Sequence, residues 1–152
     1  CLYVLRWHYI LSYRFSTVNN ASRLMEHIMN TITKFEGEYD FLDMAYNAPF
    51  YYKGRFYKCA EAAYQAERVG DPLLTSMFED MGGSEARCVG LYTTERDDWD
   101  DIKQDILYNI TKQKFEQNPA LYKRLAETKD AFINNAFLGN ILMNLRMHYK
   151  AS

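Results

Sequence analysis

The clearest periodic pattern in the sequence is a series of hydrophobic residues, three to five positions apart, that begins at residue 99. The series consists of Trp99, Ile102, Ile106, Ile110 and Phe115. This spacing places the side chains on one side of an α-helix and predicts a long helix with a buried stripe. The pattern stops at Asn118-Pro119. Because proline is favoured in the first turn of a helix, Pro119 is predicted to begin the next one.

Other helices are predicted from stripes and from stop signals. The segment CAEAAYQAERVG is rich in alanine and stops at Gly70, just before Asp71-Pro72. The segment PLLTSMFEDMGG opens with Pro72 and closes on two glycines. The overlapping segment MGGSEARCVG is expected to be a helix end followed by a loop. A last helix is predicted from a stripe formed by Leu138, Ile141, Leu142 and Leu145.

Residues 31–57 differ from the rest because they are rich in tyrosine, phenylalanine and glycine. Within them, APFYYKGRFYK predicts two short strands around a Lys53-Gly54 turn. The fold class is therefore α+β and α-rich, with several packed helices and a small N-terminal β-hairpin. We predict a single domain at 29–152 and an N-terminal extension at 1–28. The apolar run of that extension is far below the ~20 residues of a membrane span.

Composition and charge narrow the possible functions. The net charge of −2 argues against a surface that wraps duplex DNA. Three cysteines without a CxxC spacing indicate neither a zinc site nor a disulfide framework, and they fit a reducing cytoplasm. The three histidines lack metal-ligand spacing, and no glycine-rich nucleotide loop is present. We predict no metal, no cofactor and no membrane association.

A cluster of aspartates marks the start of the predicted long helix, in the segment RDDWDD (96–101). Acidic groups at a helix N-terminus complement its positive end and can cap free backbone N–H groups. This role accounts for most of the aspartates. It does not explain why Trp99 stands among them or why Arg96 precedes them.

Five segments, taken in order, resemble the NADAR (YbiA-like) family over about residues 35–146. The segments are FEGEYDFL (35–42), APFYYKGRFYKCAEAAYQAERVGDP (48–72), RDDW (96–99), KFEQNPALYKRLAET (114–128) and LGNILMNLR (138–146). The resemblance implies an α-rich N-glycosidase that acts on ribosyl or ADP-ribosyl compounds. Their order over more than 100 residues makes coincidence an unsatisfactory explanation.

The sequence also departs from the family pattern. Residues 43–45 are Asp-Met-Ala where the family has Ser-Asn-Phe, Ala62 replaces a histidine, and Leu91 replaces an arginine. A Trp-Gly segment that helps line the family's pocket is missing before the last helix, and Ala136 replaces an asparagine. These differences predict a less enclosed site with lower activity or none, since water exclusion strengthens electrostatic catalysis.

The resemblance implies three catalytic carboxylates: Glu61, Glu38 and Asp98. Breaking a ribosyl C–N bond passes through an oxocarbenium-like state, which negative charge beside the anomeric carbon stabilises. Each residue also has a simpler interpretation. Glu61 could be an ordinary exposed helix residue, Glu38 a solvated turn residue, and Asp98 a helix-start residue.

Substrate contacts are predicted for Arg96, Trp99, Tyr64, Gln65 and Lys103. Arg96 could fork onto a phosphate, although a surface ion pair is an equal alternative. Trp99 and Tyr64 could flank a base or ribose, although they could equally be core residues. Lys103 and Lys114 could assist, although lysines on helices usually face solvent. If the protein is an N-glycosidase, we expect Glu38, Glu61 and Asp98 to converge on one cleft near Arg96.

The predicted substrate is a phosphorylated ribosyl or ADP-ribosyl compound. It is either a phosphorylated pyrimidine intermediate of riboflavin biosynthesis or ADP-ribose on guanine, including ADP-ribosylated nucleic acid. Two alternatives remain. One is a catalytically impaired module that binds ADP-ribose or a related nucleotide. The other is a helical interaction domain without a small ligand.

Overall fold

The computed structural model describes residue 24 and residues 30–151, so the predicted extension at 1–28 lies, apart from Leu24, outside the described residues. The helices are α1 (Ala60–Val69), α2 (Pro72–Thr75), α3 (Gly83–Leu91), α4 (Trp99–Gln117), α5 (Pro119–Glu127) and α6 (Ala136–Met147). Two 3₁₀ segments cover Gly37–Leu42 and Ser76–Asp80. The strands are β1 (Thr31–Ile32), β2 (Phe50–Tyr52), β3 (Arg55–Tyr57) and β4 (Phe132–Ile133).

The predicted α-rich α+β class is confirmed, and the stop signals act as expected. Helix α1 ends at Gly70, which adopts a left-handed φ of 65°. Pro119 is the first residue of α5. Helix α4 has 19 residues, which makes it about 28 Å long. Its stripe is turned inward, with Trp99, Ile106, Ile110 and Phe115 buried.

The predicted hairpin is also present. Strands β2 and β3 pair antiparallel, with Phe50 opposite Tyr57. Lys53 and Gly54 both have positive φ, 49° and 78°, as the favoured two-residue hairpin turn requires. Gln117 of α4 holds strand β2, because its side chain exchanges two 2.7 Å hydrogen bonds with the backbone of Tyr51.

The parallel pairing of β1 with β4 was not predicted. Thr31 lies opposite Phe132 and Ile32 lies opposite Ile133. The two strands are separated by about a hundred residues, so no local sequence signal joins them. The described residues form two hydrophobic clusters. The paired strands contribute Ile32 and Ile133 to the second cluster, which lies among the C-terminal half of α4, α5 and α6.

The prediction of a loop after Met81 is wrong, because Gly83–Leu91 forms helix α3. Gly83 and Gly90 weaken the intrinsic helical preference of this segment, and tertiary packing overrides that preference. Both glycines are close-packing points. A β-carbon on Gly83 would overlap the Ala45 α-carbon, and one on Gly90 would overlap the Gln65 Oε1 atom. This close approach carries Arg87 of α3 to the side of α1.

We expect Gly83→Ser to lower the free energy of unfolding by about 1–3 kcal/mol, because the added side chain meets the backbone of Ala45. Urea denaturation followed by circular dichroism measures the change. Gly82→Ser is the matched control, since nothing lies within 4 Å of a β-carbon there and serine is favoured at a helix N-cap. Equal losses for the two variants would contradict the close-packing argument.

Helix α1 is the centre of the first hydrophobic cluster. Its alanines at 60, 62, 63 and 66 are all at most 1% exposed. Small side chains let the hairpin, α3 and α4 approach α1 closely, so polar groups on α1 are surrounded by neighbouring elements. The cluster also contains Phe50, Tyr57, Phe78, Trp99, Ile106 and Ile110.

Within the described residues, no helix combines the length and the apolar character needed to cross a membrane.

Candidate active site

Glu61 is a buried acidic residue in the first turn of α1. It is 6% exposed, so its interpretation as an ordinary exposed helix residue is excluded. Its backbone N–H donates to the Met44 carbonyl at 2.8 Å, which ties the start of α1 to the loop that follows the first 3₁₀ segment. Burial of a carboxylate is costly unless the charge is paired and hydrogen-bonded.

Both carboxylate oxygens of Glu61 are hydrogen-bonded. Arg87 Nη2 of α3 donates to Oε2 at 3.0 Å, and Gln65 Nε2, one turn along α1, donates to Oε1 at 2.9 Å. The hydrogen bond from Arg87 and the charge of Glu61 raise the pKa of Arg87. The Arg87 side chain is 54% exposed, so Glu61 lies directly beneath the surface and is oriented by two donors.

Gln65 is placed by Glu61 on one side and by α3 on the other. Its Oε1 atom is buried and, among the described residues, has no hydrogen-bond partner. That oxygen faces Gly90, where only a glycine leaves room for it. The predicted pair of Glu61 and Gln65 is therefore in direct contact, with the amide donating to the carboxylate.

Asp43 extends the charge pairing at this site. Its Oδ1 atom lies 3.9 Å from Arg87 Nη2 and accepts a 2.7 Å hydrogen bond from the backbone N–H of Ala45. Arg87 thus lies between two carboxylates, one buried and one partly exposed.

Lys114 of α4 binds the loop that carries Asp43. The expectation that this lysine faces solvent is wrong. It is 1% exposed, and its ammonium donates to the carbonyls of Phe41 and Asp43, both at 2.8 Å. Burial lowers the pKa of Lys114 to about 8, partly offset by the negative charge of Asp43. The loop that carries Asp43 is therefore fixed to α4 by a buried amine.

Tyr64 and Trp99, which were both predicted to contact substrate, contact each other. Their ring centroids are 5.0 Å apart at an interplanar angle of 65°. Trp99 is buried in the core, whereas Tyr64 is partly buried. Burial raises the pKa of Tyr64, while the charge of Lys103 lowers it and that of Glu61 raises it. Lys103 itself pairs with Asp100.

Arg96 and Asp98 form an ion pair beyond the C-terminal end of α1. The Arg96 guanidinium forks onto both carboxylate oxygens of Asp98, and the backbone N–H of Arg96 donates to the Arg68 carbonyl at 2.9 Å. The expectation that Asp98 caps α4 is wrong for its side chain, because the helix begins at Trp99 and Asp98 makes no side-chain capping bond.

Glu38 lies in the first 3₁₀ segment and is exposed. It lines a groove together with Arg124 and Thr128, and its backbone carbonyl accepts a hydrogen bond from Arg124. These contacts belong to the second hydrophobic cluster, on the side of α5 rather than α1.

The three candidate carboxylates therefore have separate partners. Within the described part of the chain, no hydrogen bond or ion pair joins Glu61 to Glu38 or to Asp98. Asp98 lies two residues after Arg96, whose backbone N–H bonds to the Arg68 carbonyl. Arg68 is seven residues, or about 10 Å, along α1 from Glu61. Glu61 is the only one of the three that is buried.

Among residues 30–151, no group of three or more metal-ligating side chains is assembled. The polar groups around Glu61 are instead an arginine, an amide and a second carboxylate, which can orient an organic substrate and a water molecule.

Sequence reasoning missed Arg87 and Asp43 as parts of this site, and it considered Lys114 as a substrate contact rather than as a buried anchor of the loop. Arg87 was hidden because its segment was expected to be a loop. Lys114 carried a signal, since it stands four residues after Ile110 on the same stripe of α4. Asp43 was noted only as a departure from the family pattern.

Comparison with known proteins places this chain in one family. The NADAR domain family model matches residues 26–137, which is most of the chain. The protein belongs to the NADAR family, which includes N-glycosidases.

The fold is similar to the NMR structure of the Escherichia coli protein YbiA, with a TM-score of 0.69. That similarity covers 78% of this chain and 84% of YbiA at 21% sequence identity, so it shows a shared fold. No curated protein matches the sequence.

Proposed function

We propose that this protein is an N-glycosidase that hydrolyses a ribosyl C–N bond in a phosphorylated nucleotide-like substrate. The observation that carries the proposal is the buried carboxylate of Glu61, held just beneath the surface by Arg87 and Gln65. Family membership supports hydrolase chemistry at a glycosidic bond. The substrate class is a riboflavin-pathway pyrimidine intermediate or ADP-ribosylated guanine.

In this proposal Glu61 supplies negative charge beside the anomeric carbon. As the C–N bond breaks, positive charge develops on the ribosyl ring, and a preoriented anion stabilises it without reorganisation. The bonds from Arg87 and Gln65 fix the direction of the carboxylate. Tyr64 contacts the sugar or the base, and Lys103, whose charge acts on the Tyr64 hydroxyl, lies nearby to attract phosphate.

A catalytically impaired module that binds ADP-ribose is the alternative, and one observation favours it. Ala62 takes the place of the family's histidine and is fully buried in the α1 cluster. The site therefore has no imidazole at this position to move a proton to the leaving nitrogen.

Turnover separates the two functions. We would incubate the full chain with ADP-ribosyl-guanine DNA and, separately, with a phosphoribosyl-aminopyrimidine, and follow ADP-ribose or ribose 5-phosphate by mass spectrometry. We expect release from one of the two substrates. Release from neither, by protein whose circular dichroism shows a folded helical domain, would contradict hydrolysis and favour the binding module.

A further inference from the structure

A basic groove lies on the side of α1 opposite Glu61. It has a volume of about 260 Å³ and is lined by Lys53, Arg55, Tyr57, Glu67, Gly70 and Arg96, among others. Three positive side chains and one negative side chain face it, although the whole chain has a net charge of −2. The three cations come from the hairpin turn, β3 and the loop before α4, so their meeting is a product of the fold.

Helical geometry separates this groove from the Glu61 site. The α1 residues in the groove, Ala66, Glu67 and Gly70, follow Glu61 by five, six and nine positions. At 3.6 residues per turn they lie about 120–180° around the axis from Glu61. Glu61 faces α3 through Arg87, whereas these residues face the hairpin.

Arg96 is held in a fixed position in the groove. Asp98 takes one edge of its guanidinium with two hydrogen bonds, which leaves three of the five N–H donors unused. Its side chain lies across Gly70, where a β-carbon would be 3.3 Å from Arg96 Cδ. The positive φ of 65° at Gly70 and its missing side chain both allow this arrangement.

The other two cations also keep free donors. Lys53 gives one hydrogen bond to Glu67 at 2.9 Å, which leaves two of its three N–H groups. Arg55 Nη1 is 3.6 Å from Glu79, too far for a hydrogen bond. Among the described residues, the groove therefore has more positive donors than acceptors.

Tyr57 adds a hydroxyl donor to the groove. Its side chain is almost wholly buried and lines the groove, where the hydroxyl forms no hydrogen bond with a described residue and is accessible to solvent. Burial, with smaller effects from nearby charges, raises the pKa of Tyr57 to about 12. The hydroxyl therefore keeps its proton and remains a donor.

We propose that this groove binds a phosphate group, at a site separate from Glu61. A guanidinium with a free edge, a second guanidinium, an ammonium and a phenol hydroxyl together match an anion with several acceptor oxygens. The phosphate belongs either to a free sugar phosphate or to a nucleic-acid backbone. The inference does not depend on hydrolysis at Glu61, because it concerns binding on the other side of α1.

Backbone amide NMR on the full chain tests the site. The probes are inorganic phosphate, ribose 5-phosphate and a short oligothymidylate, each titrated separately. We expect saturable shifts at Gly70 and Thr75, which border the groove, and smaller shifts at Gln65 and Arg87. Tighter binding of the oligothymidylate than of ribose 5-phosphate assigns the site to a nucleic-acid backbone, and the reverse order assigns it to a sugar phosphate.

Two variants and one control make the test specific. Arg96→Gln is expected to weaken binding about tenfold or more, and Tyr57→Phe about threefold to tenfold, since each removes donors to an anion. Lys112→Gln removes the same charge from a surface pair with Glu116 on α4 and is expected to change binding less than twofold. Tyr57→Phe keeps the buried ring, so its spectrum should remain that of the folded protein.

The proposal fails if none of the three probes shifts Gly70 and Thr75. It also fails if Arg96→Gln and Tyr57→Phe bind as tightly as the unchanged protein. A Glu61→Gln variant that loses turnover but keeps these shifts separates the groove from the proposed hydrolase activity.

Discussion

Replacing Glu61 by glutamine is expected to lower turnover by about 10²–10³-fold, the usual cost of removing one preoriented group that stabilises charge in the transition state. Glutamine keeps the shape of glutamate and can still accept a hydrogen bond from Arg87, but it has no negative charge for the developing ribosyl cation. The rate constant with saturating substrate, measured by mass spectrometry of the released sugar phosphate, should carry most of the loss.

Three matched variants give this prediction its specificity. Glu38→Gln and Asp98→Asn remove the other two candidate carboxylates, which are exposed and have partners elsewhere. We expect each to change turnover less than tenfold. Glu116→Gln, in a surface pair with Lys112, should have no effect. A loss in Asp98→Asn as large as that in Glu61→Gln would show that catalysis depends on the Arg96 side of α1.

The second large effect concerns the stability contributed by Lys114 as a function of pH. The pKa of Lys114 is about 8 in the folded protein, against an ordinary value of 10.5. Between these values the unfolded chain binds more protons at this position, so the free energy of unfolding rises with pH. Relative to a Lys114→Met variant, the unchanged protein should gain about 3 kcal/mol from pH 7 to pH 10.5.

Urea denaturation at several pH values measures this difference. Lys112→Met is the control, because it removes a partly exposed lysine from the same helix. Tyr52 and Tyr57 have a pKa raised to about 12. Above pH 10 they therefore lower the free energy of unfolding as the pH rises. They are present in every variant, so their effect cancels. A flat difference for Lys114→Met would contradict a buried, destabilised ammonium.

The two effects are connected through one loop. Lys114 binds the carbonyls of Phe41 and Asp43, and the next residue, Met44, accepts the N–H bond of Glu61. Asp43 in turn lies near the arginine that orients Glu61. Loss of Lys114 should therefore disturb the position of α1 as well as the stability of the second cluster.

The fold class and several boundaries were predictable because local signals set them. Gly70 allows the left-handed residue that ends α1, and Pro119 begins α5. The Lys53-Gly54 turn fixes the hairpin because both residues take positive φ. The stripe of α4 was visible for the same reason, since hydrophobic spacing and helix geometry share one period.

The site was predictable only in part. The resemblance to a family selected Glu61 and Gln65, and these two residues do bond to each other. It also grouped Glu38 and Asp98 with them, and their contacts in the structure lie elsewhere. Sequence order cannot show on which side of a helix or loop a carboxylate finds its partner.

The sequence by itself determined the helix stops, the hairpin turn, the stripe of α4 and the family. Only the tertiary structure decided the rest. Helix α3 forms because its glycines allow close contact with Ala45 and Gln65, and that contact places Arg87 beside Glu61. Lys114 is buried because two loop carbonyls, more than seventy positions earlier, replace water around its charge. These are contacts between distant segments, and packing rather than local propensity creates them.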